Sequence, residues 1–178
     1  KKYNNPLILI VNKGILLNQM KSLKYKFKLN SLDVRNIDFK RLKNNRINFI
    51  DIPYNKKLIT KYFNESFKIA IDLIKKNKHM NLINGPINKK KILKQKFLGV
   101  TEYLDFLTGS KGNIAMLIYN KNLSVSPITT HVPLKNVNKQ ISKIKIIKHV
   151  KLINDFYKKR FRIKPNSNYI VCFDYLVG

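Results

Sequence analysis

Short apolar runs that stop abruptly at turn-forming residues set the strongest limit on how this chain can fold. Leu7–Val11 lies between Pro6 and Asn12, Ile47–Ile52 stops at Pro53, and Met80–Asn84 stops at Gly85-Pro86. Leu7–Val11, continuously apolar and not alternating, predicts a strand covered on both faces, as in a parallel sheet, and the other two runs predict further strands. Proline cannot donate to the strand ladder, so it ends such a strand. Between the runs the apolar period changes. Leu16, Met20, Leu23 and Phe27 fall on one side of a helix, and Ile59, Phe63, Phe67, Ala70 and Ile74 repeat at helical spacing across Leu58–Lys76. Lysines close that second segment, where the helix dipole favours cations. Val34–Ile37 predicts one more short strand, and Asn44-Asn45 the turn before Ile47.

The second half adds a different connection. Ile114–Tyr119 and Leu123–Ile128 are joined by Asn120-Lys121-Asn122, a hairpin signal. An antiparallel pair inside a strand–helix alternation predicts a mixed sheet. Asn88 is placed to cap a helix from Lys89, and Thr101 to cap one that ends at Gly109. Val137–Ile141 predicts a helical turn. Ser142 then caps a long helix with Ile146, Val150, Ile153 and Tyr157 on one face and Lys158-Lys159-Arg160 at its end. Tyr169–Phe173 reads as a last strand. The fold class expected is α/β, a mixed and mostly parallel sheet flanked by helices, with residues 1–178 as one unit and no repeat or low-complexity linker.

Composition narrows the class of protein. With 178 residues and 44% hydrophobic content, the chain is long and apolar enough for a substantial core. The net charge of +28 raises a nucleic-acid partner, because basic surfaces attract phosphate regardless of sequence. Its distribution argues against one: lysines run along the whole chain, only five of the 37 basic residues are arginine, and no nucleic-acid-binding motif accompanies them. Asn, Ile and Lys are abundant together, which A/T-rich codons explain. The lone Cys172 makes no internal disulfide. No apolar run approaches eighteen residues and no signal-peptide pattern opens the chain, so a cytoplasmic protein without a membrane partner is expected.

His131 is the leading candidate for a metal ligand or an acid/base group, since imidazole is the commonest metal ligand and a strand end is a rigid, open mount. A catalytic metal needs about three protein ligands. His79, in a helix–strand loop, and His149, inside a helix, do not occupy comparable places. A merely structural or exposed His131 is the competing reading. For Lys89–Lys91 a phosphate contact and a solvated basic face are both open. No G-x-G-x-x-G, no Walker motif and no G-x-S-x-G elbow occurs.

Three separated pieces, Asn84-Gly85-Pro86-Ile87-Asn88-Lys89, Gly99-Val100-Thr101-Glu102-Tyr103-Leu104 and Thr129-Thr130-His131-Val132-Pro133-Leu134, occur in this order. They resemble the T-G-P-I-N-K, G-H-T-E-Y-L and T-T-H-x-P-L motifs of the 4-hydroxythreonine-4-phosphate dehydrogenase family of pyridoxal phosphate biosynthesis. The resemblance extends weakly from about residue 7 to 165. It implies oxidation of the 3-hydroxyl of 4-phosphooxy-L-threonine by NAD or NADP, followed by loss of carbon dioxide. It further implies a divalent metal (zinc, magnesium or cobalt) held in part by His131, substrate contact by Thr101, and a homodimer whose metal site draws on both subunits. The family's fold is similar to that of isocitrate and isopropylmalate dehydrogenases, which bind NAD without the G-x-G-x-x-G fingerprint. Two departures stand out. Val100 occupies the place of the family's substrate-binding histidine, which leaves open a related dehydrogenase of threonate or erythronate phosphate. The final residues Cys172–Gly178 do not match the family's N-P-H-A-G turn, so the chain is expected to be part of a larger two-subdomain dehydrogenase, without its start and its C-terminal half, and inactive alone.

Overall fold

A computed structural model of the chain describes residues 6–77, 79–93, 96–120 and 123–162, with the backbone of 171–172. The chain divides into two compact units, Lys1–Gln95 and Lys96–Gly178.

The first unit is built on a parallel three-stranded sheet. Strands β1 (Ile8–Val11), β2 (Leu29–Ser31) and β3 (Ile47–Asp51) are ordered β1-β3-β2, so the last of them in sequence is central. Central position explains its burial: Asn48, Phe49 and Ile50 are enclosed on both faces, while Leu9 on the outer strand is 38% exposed. The expectation that Leu7–Val11 is covered on both sides therefore fails on one face. Ile50 and Ile52 pack with Leu73 of α2 (Ile59–Lys76), surrounded by Ile8, Ile10, Tyr62 and Ile69. Each such aliphatic side chain contributes roughly 1.5–3 kcal/mol on burial.

Asn12 joins the sheet to α1 (Lys13–Ser22): its side-chain oxygen accepts from the Ile15 N–H at 3.2 Å and its amide donates to the Ile52 carbonyl at 3.1 Å. The predicted helical stripe reached Phe27, but the helix ends at Ser22. Lys24 adopts a left-handed φ of 56° and the Tyr25 N–H returns to the Met20 carbonyl, a helix-terminating turn. Tyr25 and Phe27 pack on each other instead, with ring centroids 5.6 Å apart.

Two expected strands are absent. Val34–Ile37 lies in a turn, because Asp33 accepts from the Arg35 N–H through its side chain and from the Asn36 N–H through its carbonyl. The strand of that region is Leu29–Ser31. Met80–Asn84 forms no ladder, and Ile83 is 82% exposed. Beyond it Asn88 caps α3 (Lys89–Leu93) as expected, accepting from the Lys91 N–H at 3.1 Å.

The second unit holds α4 (Val100–Thr108), the hairpin β4 (Ile118–Tyr119) and β5 (Ser124–Pro127), then α5 (Leu134–Gln140), α6 (Lys143–Phe156) and β6 (Val171–Cys172). β5 is central, antiparallel to β4 and parallel to β6, which makes the mixed sheet that the hairpin signal predicts. Ser142 caps α6, accepting from the Lys145 N–H at 3.2 Å. The helix buries none of its residues fully. Of the predicted strand Tyr169–Phe173, Val171 and Cys172 pair with Ser126 and Pro127; the rest lies outside the described residues.

Candidate functional site

In the second unit, the start of α4 and the turn after β5 meet. Gly99, not Thr101, is the N-cap of α4: its backbone is extended and its carbonyl accepts from the Tyr103 N–H, which puts Thr101 one residue inside the helix. The predicted capping role for Thr101 is thus corrected. A Ser/Thr cap hydroxyl normally fills this place, but here no side chain caps the helix. At the far end Gly109 is the left-handed terminator expected, with φ 66° and the Ser110 N–H bonded to the Asp105 carbonyl.

Glu102 lies in the first turn of α4, where the helix dipole favours negative charge. Its Oε1 accepts from the Thr130 hydroxyl at 3.2 Å. Its Oε2 is buried and has no hydrogen-bond partner, and the same holds for the Thr129 hydroxyl, whose residue is 2% exposed. His131 follows directly, exposed, with a left-handed φ of 57°. A Cβ placed on Gly99 would stand 2.8 Å from Glu102 Oε2 and 3.4 Å from His131 Nε2. Carboxylate and imidazole therefore flank one glycine, two residues before Thr101.

A cavity of about 210 Å³ opens beside this turn. Thr101, Glu102, Thr129, Thr130, Lys145 and His149 line it. The Ser126 hydroxyl donates to the Met116 carbonyl and lies 2.7 Å from His149 Nε2. A hydroxyl carries one proton, so it accepts from an Nε2–H imidazole. Burial lowers the His149 pKa below its ordinary value, and Lys145 on the same helix lowers it further. Burial raises the pKa of the Tyr103 phenol.

Of the residues singled out in the sequence, Thr101 and His131 stand at the same end of α4. Asn84 and Lys89–Lys91 belong to the first unit, where Asn84 donates to the Gly85 carbonyl. His79 is exposed in the same unit. Val100 is the first residue of α4. Sequence reasoning gave no role to Glu102, Thr129 or His149. Glu102 sat inside a quoted motif and was legible as a first-turn acid; the burial of Thr129 and the reach of His149 to Ser126 had no signal in spacing. Among the described residues no group of three His, Cys, Asp or Glu side chains could hold a metal ion, and no helix is long and apolar enough to cross a membrane.

The fold and the site define an α/β protein with a polar, strand-end site in its second unit. The chain belongs to the pyridoxal phosphate biosynthetic protein PdxA family, whose profile matches residues 2–173. It is 49% identical over 70 residues to the 4-hydroxythreonine-4-phosphate dehydrogenase of Sulfurihydrogenibium sp., a stretch that is 39% of this chain and 21% of that relative. It is 37% identical over 70 residues to the enzyme of the same name from Aquifex aeolicus, covering 39% and 22%. The crystal structure of 4-hydroxythreonine-4-phosphate dehydrogenase from Klebsiella pneumoniae shares its fold, with a TM-score of 0.70 at 19% identity over 85% of this chain and 50% of that one. The enzyme of that name from Burkholderia phymatum does so with a TM-score of 0.68 at 20% identity over 85% and 48%. The chain thus spans about half the length of these solved structures.

Proposed function

We propose that this chain is part of an enzyme that oxidises and decarboxylates 4-phosphooxy-L-threonine with NAD or NADP in pyridoxal phosphate biosynthesis. The observation that carries the reading is the family match across residues 2–173, joined to the clustering of Thr101, Glu102 and His131 at one end of α4. The enzyme is read as a cytoplasmic homodimer with the isocitrate dehydrogenase-like architecture.

The residues carry distinct tasks. Thr101, in the first turn of α4 and on the cavity wall, offers its hydroxyl to the substrate, while the first-turn N–H groups of α4, which no N-cap side chain covers, favour an anionic group there. His131 holds an imidazole on a turn that is fixed at both sides by the buried Thr129 and Val132. It fits a divalent ion as one ligand; the remaining ligands come from other parts of the complete enzyme. When bound, such an ion supplies Lewis acidity that eases removal of the hydroxyl proton and then stabilises negative charge on the resulting ketone during decarboxylation. The threonine hydroxyls and the cavity wall orient the substrate and exclude water.

Val100 supports a second reading of the substrate. Valine neither donates nor accepts a hydrogen bond, so a contact made by a histidine at that place is lost. A four-carbon phosphorylated sugar acid, threonate or erythronate phosphate, is then the alternative. Assaying the complete gene product for NAD and NADP reduction with each phosphorylated acid decides between them. Activity on 4-phosphooxy-L-threonine should fall roughly 10- to 100-fold in kcat/KM on Thr101→Val, the loss of one hydrogen bond to a charged group. No activity on any of the three acids, together with salt-sensitive binding to arbitrary DNA that survives Thr101→Val and His131→Ala, would overturn the reading in favour of a basic nucleic-acid-binding protein.

A further inference from the structure

Glu102 Oε2 is a buried acceptor with no donor, at a position where the carboxylate's other oxygen is already engaged by Thr130. Burying an unpartnered polar atom costs about 1–3 kcal/mol and more when it is charged, so the arrangement persists because its surroundings hold it there. Gly99 is one of those surroundings. Any side chain at that position would place a Cβ 2.8 Å from Oε2, closer than real contacts allow, and 3.4 Å from His131 Nε2. His131 itself occupies left-handed backbone, which disfavours any residue but glycine by roughly 1–2 kcal/mol. The turn that presents the imidazole is strained, and the Thr130–Glu102 hydrogen bond ties it to α4.

We propose that Glu102 is the positioning residue for His131. Its carboxylate anchors the Thr129–His131 turn through Thr130, and the second oxygen sets a negative charge beside the imidazole in the space that Gly99 leaves open. Anchoring the turn through Thr130 fixes the backbone that carries the ring, and a nearby negative charge makes a ligating imidazole a better donor. The proposal deepens the metal reading above and rests on it only for the identity of the ligand.

The test uses the full chain as wild type, Glu102→Gln, Gly99→Ala and His131→Ala. Glu102→Gln keeps the shape and removes the charge; Gly99→Ala keeps the charge and displaces the carboxylate. The first readout needs no metal: nitrogen-15 NMR of the His131 ring, identified by its loss in His131→Ala. The ring nitrogen shifts should move in Glu102→Gln, with the far-ultraviolet circular dichroism unchanged. An unchanged His131 ring in Glu102→Gln overturns the proposal, and if that variant does not fold, an unchanged ring in Gly99→Ala does so. The second readout is cobalt(II) titration by visible absorbance, in which Glu102→Gln should weaken His131-dependent binding about 10- to 100-fold. Cobalt binding indifferent to His131→Ala would instead sink the metal reading, while the ring shifts still decide the role of Glu102.

Discussion

Asn48 offers the sharpest stability prediction. It is wholly buried in the central strand of the first unit, and its side-chain amide uses its full capacity of two donors and two acceptor positions. Nδ2 donates to the carbonyls of Leu7 at 3.1 Å and Lys43 at 2.9 Å; Oδ1 accepts from Asn30 Nδ2 at 2.8 Å and the Lys43 N–H at 3.1 Å. One side chain therefore ties the entry to β1, the loop before β3 and β2 to the middle strand. Asn48→Leu keeps the volume and removes all four bonds, each worth about 1 kcal/mol net. Leu7 and Lys43 are both exposed, so their backbone groups regain part of their hydrogen bonding from water, and the expected loss is about 3 kcal/mol instead of the full four. Asn48→Asp should be worse, because it turns a carboxylate oxygen on two carbonyls. With a urea slope of about 1–2 kcal/mol/M, the Asn48→Leu midpoint falls by roughly 1.5–3 M. The assay is urea unfolding followed by circular dichroism. A midpoint within about 0.5 M of wild type would show that the network contributes little and refute the reasoning.

Gly109→Ala should destabilise the second unit by roughly 1 kcal/mol, because Gly109 holds a left-handed φ of 66°; open space around it rules out a clash as the cause, and thermal unfolding measures the effect. His149 has its folded pKa lowered, so the unfolded chain takes up the proton first as pH falls. Its contribution to stability is complete above the unfolded value of about 6.5 and is lost as pH drops through the lowered folded value; His149→Gln should flatten the stability curve below about pH 6.5, as read by unfolding at each pH. NAD reduction by the 178-residue chain with 4-phosphooxy-L-threonine and added zinc or magnesium should not exceed that of His131→Ala, since the solved relatives are about twice as long; turnover clearly above that control would contradict it.

Local chemistry was legible and long-range partnership was not. Asn88, Ser142 and Gly109 mark real helix boundaries, because each supplies a bond or a backbone state that the helix end requires. Of the α2 stripe Ile59, Phe63, Phe67, Ala70 and Ile74, Phe67 and Ala70 are fully buried and the other three half-buried, while Ile71 and Leu73, outside the stripe, complete the buried set. Met80–Asn84 has the apolarity of a strand, but apolarity alone does not supply the neighbouring strand that a ladder requires. Val34–Ile37 forms no strand because the Asp33 turn competes for the same backbone groups. The division into two units left no mark, since the boundary falls in a lysine-rich stretch without a Gly/Ser/Pro linker. At the site, motif residues Thr101 and His131 stood out by type. Glu102 needed the three-dimensional fact that Gly99 makes room for its carboxylate.

The central place of β5 has a consequence for how the second unit assembles. Its antiparallel partner, β4, is the adjacent arm of a hairpin, whereas its parallel partner, β6, arrives only after α5 and α6 have been traversed. Local hairpins close in microseconds, and pairings across long intervening segments come later because the loop entropy must be overcome first. During that interval the Ser126–Pro127 side of β5 is a bare edge, open to the edge of another chain. Crowding at the ribosome or in an overexpressing cell thus sets β6 in competition with intermolecular pairing, and the yield of soluble chain should fall as its concentration during synthesis rises.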